Sequence, residues 1–230
     1  MKHEKIYEIP VNDAFDTDCE CALCELESAL EKKNVEFCLG PAMMKPEFRI
    51  DTNNTGFCRH HLGMLLRETN KLPLALVLDT HFNTVAETFS VKKGISKVPD
   101  IDLVISRLND FNNSCIICNF TNEIMDKYIN VVLYMWLTDD DFKKKIANSK
   151  GFCLKHFLML LKKAKSELRK KDANVFCADI LKLQQQEFKR VNDDIHWFTK
   201  KFDYKNADAD WKNSKDAPQR GSAKLWGYLE

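Results

Sequence analysis

Cys21-Ala22-Leu23-Cys24 is followed by Gly56-Phe57-Cys58-Arg59-His60-His61, with 33 residues between Cys24 and Cys58. Cys115-Ile116-Ile117-Cys118 is followed by Gly151-Phe152-Cys153-Leu154-Lys155-His156, with 34 between Cys118 and Cys153. Both stretches read C-x-x-C, a gap, then G-F-C-x-x-H, offset by 94 to 95 positions. The correspondence extends beyond the sulfur and imidazole positions. His61-Leu62-Gly63-Met64-Leu65-Leu66-Arg67 aligns with His156-Phe157-Leu158-Met159-Leu160-Leu161-Lys162, and Phe48-Arg49 with Phe142-Lys143. A C-x-x-C alone is a weak signal; two of each motif in register indicate a tandem repeat of two metal-stapled lobes.

Ligands three residues apart share one helix face or one tight turn, so both can reach a common ion. Three thiolates and one imidazole suit zinc, and a helix N-terminus favours the thiolate form. The spacing predicts two zinc ions per chain: Cys21, Cys24, Cys58 and His61 at one site, and Cys115, Cys118, Cys153 and His156 at the other. Four protein ligands leave no open position, the arrangement of a structural site. Pairing of motifs across the halves and an iron–sulfur cluster are the alternatives. A thioredoxin-like dithiol lacks its βαβ setting, and a nucleic-acid finger keeps its ligand pairs closer together. Cys38 and Cys177 read as buried small hydrophobes, and Cys19 and His60 stay outside the ligand sets.

Around these motifs the periodicity is helical throughout, which predicts an all-α protein. Leu23, Leu26 and Leu30 follow a Thr17-x-x-Glu20 capping box, with Gly40-Pro41 closing that helix. Pro73 opens a second amphipathic stretch, with Leu74, Val77, Leu78, Phe82, Val85 and Phe89. Pro99-Asp100 opens a third, with Ile101, Val104, Ile105, Leu108 and Phe111. Further helices are expected near 118–137, 152–170 and 173–201. The expected organisation is a first lobe over 1–97, a second over 98–201, and a polar C-terminal arm over 202–230. Trp211, Leu225, Trp226 and Tyr228 are candidates to pin that arm to the body.

The 230 residues carry 35 basic and 34 acidic side chains, and 44% of them are apolar, an ordinary globular composition. No apolar run approaches the roughly 20 residues that span a bilayer, and the charged N-terminal stretch lacks the features of a secretory signal. A cytoplasmic protein without membrane association is expected, where nine Cys point to metal ligands rather than disulfides. Charge is uneven: residues 1–32 hold nine acids, and residues 143–171 hold eleven bases and one acid. That basic segment is read as a solvated face, or one facing the acidic N-terminal segment, in preference to a nucleic-acid contact.

Residues present in only one half are candidates for a task beyond folding. His81, in Leu78-Asp79-Thr80-His81-Phe82-Asn83-Thr84, falls on Phe176 when shifted by 95. Arg49, Asp79 and His81 are the candidate catalytic residues, with Arg49 and His81 lining a small polar pocket near Met43 and Met44. The competing reading is a hydrogen-bonded core histidine and a surface arginine.

Several segments carry a resemblance: C-A-L-C-E, G-P-A-M-M-K-P-E-F-R, N-x-G-F-C-R-x-H, L-x-L-D-T-H, and W-x-N-S-K-D-A-P-x-R over Trp211–Arg220. Through them nearly the whole chain resembles an uncharacterised bacterial family of about this length, common in anaerobic Gram-positive bacteria. The resemblance implies a domain of unknown function without assigned activity, substrate or partner. It marks Met43, Met44, Arg49, Asp79, His81, Lys215, Asp216 and Arg220 as parts of the family pattern. The function expected from all of this is a zinc-binding helical protein with a structural, interaction or regulatory role and a protein or small-ligand partner. The alternative is an enzyme or metal- and thiol-responsive sensor using the Arg49–His81 region, or an iron–sulfur protein.

Overall fold

A computed structural model describes residues 4–90 and 100–228 of the chain. The expected lobe boundary at 97 and the helix start at Pro99 lie outside the described residues, as do Met1, Lys2 and His3. Among the described residues there are eleven α-helices and no strand, so the protein is all-α. They are α1 (Glu8–Asp16), α2 (Ala22–Leu39), α3 (Pro46–Thr55), α4 (Arg59–Arg67), α5 (Leu72–Thr88), α6 (Ile101–Asn113), α7 (Ile116–Thr138), α8 (Asp140–Asn148), α9 (Leu154–Glu167), α10 (Lys170–Lys200) and α11 (Ala217–Trp226).

The compact units are not the contiguous segments expected from the repeat. One comprises Met1–Ser28 with Met125–Glu230, and the other Ala29–Ile124, so the divisions fall inside α2 and α7. Helix continuity explains the difference. Neither α2 nor α7 has an internal Gly or Pro to end it, so each runs on past the limits of one unit.

In the unit holding both chain ends, α1, α8, α9 and α10 bury Phe15, Phe142, Ile146, Phe152, Leu160 and Phe176 with the Met125–Thr138 part of α7. The Phe15 ring meets Phe142 edge-on at 5.1 Å, and Trp136 meets Phe176 at 5.1 Å. Edge-to-face geometry suits the ring quadrupoles. The other unit packs Val35, Phe48, Met64, Leu65, Leu74, Ile116 and Ile117 into one core. Cys38 belongs to that core, as expected, whereas Cys177 is half-buried.

Several local expectations change. Thr17 does not open a capping box, because its hydroxyl donates back to the Asp13 carbonyl at the end of α1 and Glu20 is taken by Arg190 and Lys224. Helix α6 buries none of its residues, so Ile101 and Ile105 are exposed. Phe82 on α5 and Phe89 at its C-cap are exposed as well. In the C-terminal arm, residues 217–226 coil into α11, which packs on α9 and α10. What it buries is Ala217, Gly221 and Lys224, while Leu225 and Trp226 stay exposed. Gly221 lets α11 approach α10 closely: a β-carbon would lie 2.6 Å from the Ile195 side chain, whose end would have to shift.

The basic segment faces acids of the N-terminal segment. Lys145 pairs with Asp16 at 2.7 Å, Lys155 with Glu27 at 2.5 Å, and Lys150 with Asp18. No helix among the described residues is long and apolar enough to cross a membrane.

Candidate metal centres

Each cysteine–histidine motif sits where a helix begins. Cys58 and Cys153 are the N-caps of α4 and α9, and His61 and His156 follow three residues into the first turn. Cys21 and Cys115 immediately precede α2 and α7, with Cys24 and Cys118 in their first turns. The two C-x-x-H turns need a glycine. Gly56 and Gly151 have φ of 63° and 78°, a region that costs any residue with a β-carbon.

The structure gathers the eight residues into two groups, but not the groups that sequence spacing suggests. Cys21 and Cys24 meet Cys153 and His156 in one (centre 1), and Cys58 and His61 meet Cys115 and Cys118 in the other (centre 2). The within-half pairing is therefore replaced by a crossed one. Chemically the two pairings are equivalent, so packing of the helix starts decides between them.

In centre 1 the Cys24 and Cys153 sulfurs are 3.6 Å apart, and His156 Nδ1 lies 3.5, 3.4 and 3.3 Å from Cys21, Cys24 and Cys153. In centre 2 the Cys58 and Cys118 sulfurs are 3.8 Å apart, and His61 Nδ1 lies 3.3, 3.4 and 3.3 Å from Cys58, Cys115 and Cys118. Bonds of about 2.3 Å to sulfur and about 2.0–2.1 Å to nitrogen give a tetrahedron with S···S edges of about 3.8 Å and S···N edges of about 3.5 Å. Both groups therefore fit a single tetrahedral ion, held by Nδ1 of each histidine.

The other imidazole nitrogen meets a carboxylate that sequence reasoning did not single out. Nε2 of His61 lies 3.2 Å from Glu31, and Nε2 of His156 lies 3.4 Å from Glu27, off the line of a good hydrogen bond. Such partners fix the tautomer and ring plane of a ligating histidine. The motif Glu27-Ser28-Ala29-Leu30-Glu31 was the available signal, two acids one helical turn apart. His60, 47% exposed, lies 3.6 Å from Glu31, where Lys155 pairs with Glu27 at centre 1. His60 and Cys19 stand outside both groups of four.

Within each protein-only centre the charges polarise. Burial opposes protonation of His61, but hydrogen bonds with Cys115 and Glu31 outweigh it and raise its pKa to about 10. Burial is likewise overcome at His156 by Cys153, Cys21 and Glu27, to about 11. Hydrogen bonding with Cys118 lowers Cys115 to about 3, and hydrogen bonds from Cys21 and Cys24 push Cys153 strongly down. Cys24 and Cys118 move upward, each beside a sulfur that is already ionised. The direction of these shifts favours an imidazolium–thiolate pair in each centre, and a cation held by the four residues would take the place of the imidazolium proton and the remaining thiol protons.

The turns are braced by side chains from neighbouring helices. His81 on α5 donates from Nδ1 to the Asn53 carbonyl at 3.0 Å and stands edge-on to Phe111 at 5.5 Å. At the corresponding turn, Gln184 on α10 holds both the N–H and the carbonyl of Phe152, at 3.1 and 2.7 Å. Gln184, not Phe176, is thus the counterpart of His81 in role. Arg49 donates to the Leu76 carbonyl at 3.0 Å and to the Thr80 hydroxyl at 3.3 Å, tying α3 to α5. Asp79 and Met44 are exposed. In centre 2 the two motif turns join directly, Ile116 N–H to Gly56 carbonyl at 3.1 Å. In centre 1 they join through Lys224 of α11, whose ammonium group donates to the carbonyls of Glu20 and Lys150. Gly227, with φ of 83°, then brings the chain against the centre; a β-carbon there would be 3.5 Å from Cys24 Sγ.

A family model matches residues 1–230. The chain belongs to DUF6062, a family of unknown function. No curated protein and no solved structure matches it. For this DUF6062 chain, function has to be argued from the two Cys3His groups and the surface around them.

Proposed function

We propose that this DUF6062 protein is a zinc-stapled helical scaffold whose role is interaction or regulation rather than catalysis. The observation that supports it is the match of both Cys3His groups to the edges of a tetrahedron around one ion, with each histidine already backed by a glutamate. Sulfurs this close favour a mononuclear ion over a multi-iron cluster, whose thiolates must spread around several metals. When bound, the ion supplies cross-linking between helix starts, and with four protein ligands it has no position left for substrate. Arg49 and His81 are engaged with backbone and framework groups, which favours the scaffold reading over an active site there.

Elemental analysis of anaerobically purified protein with a visible spectrum tests this. The expected result is two zinc ions per chain and no absorbance above the aromatic bands. Brown protein, stoichiometric iron, or a single ion per chain overturns it.

A further inference from the structure

The segment Trp211–Arg220 leaves no imprint on the metal centres, yet it lines most of an open cleft of about 540 Å3 beside α10. Five cationic side chains line that cleft: Lys150, Arg190, Lys212, Lys215 and Arg220. Asp194 and Asp216 line it with the opposite charge, and Asp18, Glu20 and Glu187 pair with Lys150 and Arg190, so the charge left without an ion pair is that of Lys212 and Lys215. The two guanidiniums are fixed in place. Arg220 is held by Asp194 at 2.9 Å and Asp216 at 3.0 Å, and Arg190 by Glu20 at 2.7 Å and Glu187 at 2.6 Å. Lys212 and Lys215 form no ion pair among the described residues, so their charges remain available.

Lys212 adds a second and independent observation. Its φ is 51°, and it is the sole non-glycine residue with positive φ among those described. Glycine or asparagine would suit that turn at lower cost, and strain of this kind is retained where a side chain has a task. The strained turn carries the Lys212 ammonium onto the Trp197 ring, 4.4 Å from its centroid, at the wall of the cleft. A Lys pair set beside oriented guanidiniums is suited to a compact dianion, and the volume is that of a small-molecule site rather than a polymer groove.

We propose that this cleft binds the phosphate group of a small phosphorylated molecule. Metal-replete protein would be titrated with inorganic phosphate and with phenyl phosphate, at constant ionic strength held with chloride. Binding would be read by 31P line broadening and calorimetry. Either probe should bind, with Kd raised about three- to tenfold in Lys215→Gln and in Lys212→Gly and unchanged in Lys144→Gln, a lysine paired with Asp141 away from the cleft. Lys212→Gly relieves the backbone strain while removing the charge, so weaker binding by a protein of undiminished melting temperature separates ligand recognition from folding. Tighter binding of phenyl phosphate identifies a phosphate ester as the ligand, and equal binding identifies the free ion. Failure of both probes, equal binding by the variants, or binding confined to duplex DNA with a steep salt dependence overturns the proposal.

Discussion

A β-carbon placed on Gly56 would lie 2.9 Å from Nε2 of His81, so the residue that makes the Cys58 turn and the histidine that braces it are packed in direct contact. His81→Ala should therefore act through stability, by about 1–3 kcal/mol, since it orphans the Asn53 carbonyl and opens space beside Gly56. Gly56→Ala should cost at least as much, because its φ of 63° is unfavourable for alanine and the imidazole must move. Denaturant unfolding with metal analysis of the folded fraction checks both. A His81→Ala protein as stable as the parent would return His81 to the list of active-site candidates.

Lys224 is 2% exposed and bridges the two turns of centre 1 while lying 3.1 Å from the Glu20 carboxylate. Lys224→Met should destabilise by about 3–5 kcal/mol, the range for removing one partner of a buried ion pair. Centre 1 should lose its ion more readily as a result, with centre 2 unaffected. Metal release to a chelator in the variant, followed by colorimetry, shows whether one ion or both become labile.

The crossed pairing predicts which double substitutions share a loss. Cys24→Ser with Cys153→Ser should leave one ion per chain, and Cys24→Ser with Cys58→Ser should leave none. Pairing within halves predicts the reverse. In the parent, centre 2 should yield its ion first to a chelator, since Cys58 and Cys118 are partly exposed while all four residues of centre 1 are buried. Biphasic release, with only the slow phase lost in Cys153→Ser, is the expected trace.

Glu27 is partly desolvated, which by itself would raise its pKa, but the neighbouring His156 and Lys155 prevail and hold it below the usual carboxylate value. A carboxylate with a depressed folded-state pKa contributes stability that is present above its unfolded pKa and disappears as pH falls through the folded one. The melting temperatures of the parent and Glu27→Gln should therefore differ at neutral pH and converge below about pH 4. A difference that persists into acid would assign the effect to packing instead.

Much of this molecule is legible in one dimension. Turn glycines, C-x-x-C and C-x-x-H spacings, and the period of Leu23, Leu26 and Leu30 are local features, and local geometry fixes what they become: helix starts that present two ligands on one side. The eight residues of the two Cys3His groups were identifiable for that reason. Gln184 and Lys224 were not, because each acts on a group far away in the chain and nothing in its own neighbourhood marks it, and the turn spacing of Glu27 and Glu31 shows two acids on one helix face without showing which histidine each meets.

Which ligand pairs combine was decided by tertiary structure alone. Cys58 and His61 can complete a tetrahedron with either C-x-x-C, since thiolates and imidazoles in the two pairs are chemically identical. Continuous α2 and α7, together with the bridges from Gly56 to Ile116 and from Lys224 to Glu20 and Lys150, bring unlike halves together. The fate of the arm follows the same logic. Its sequence reads as polar and loose, and only the close approach of Gly221 to Ile195 and the buried ammonium of Lys224 make it the cover of centre 1.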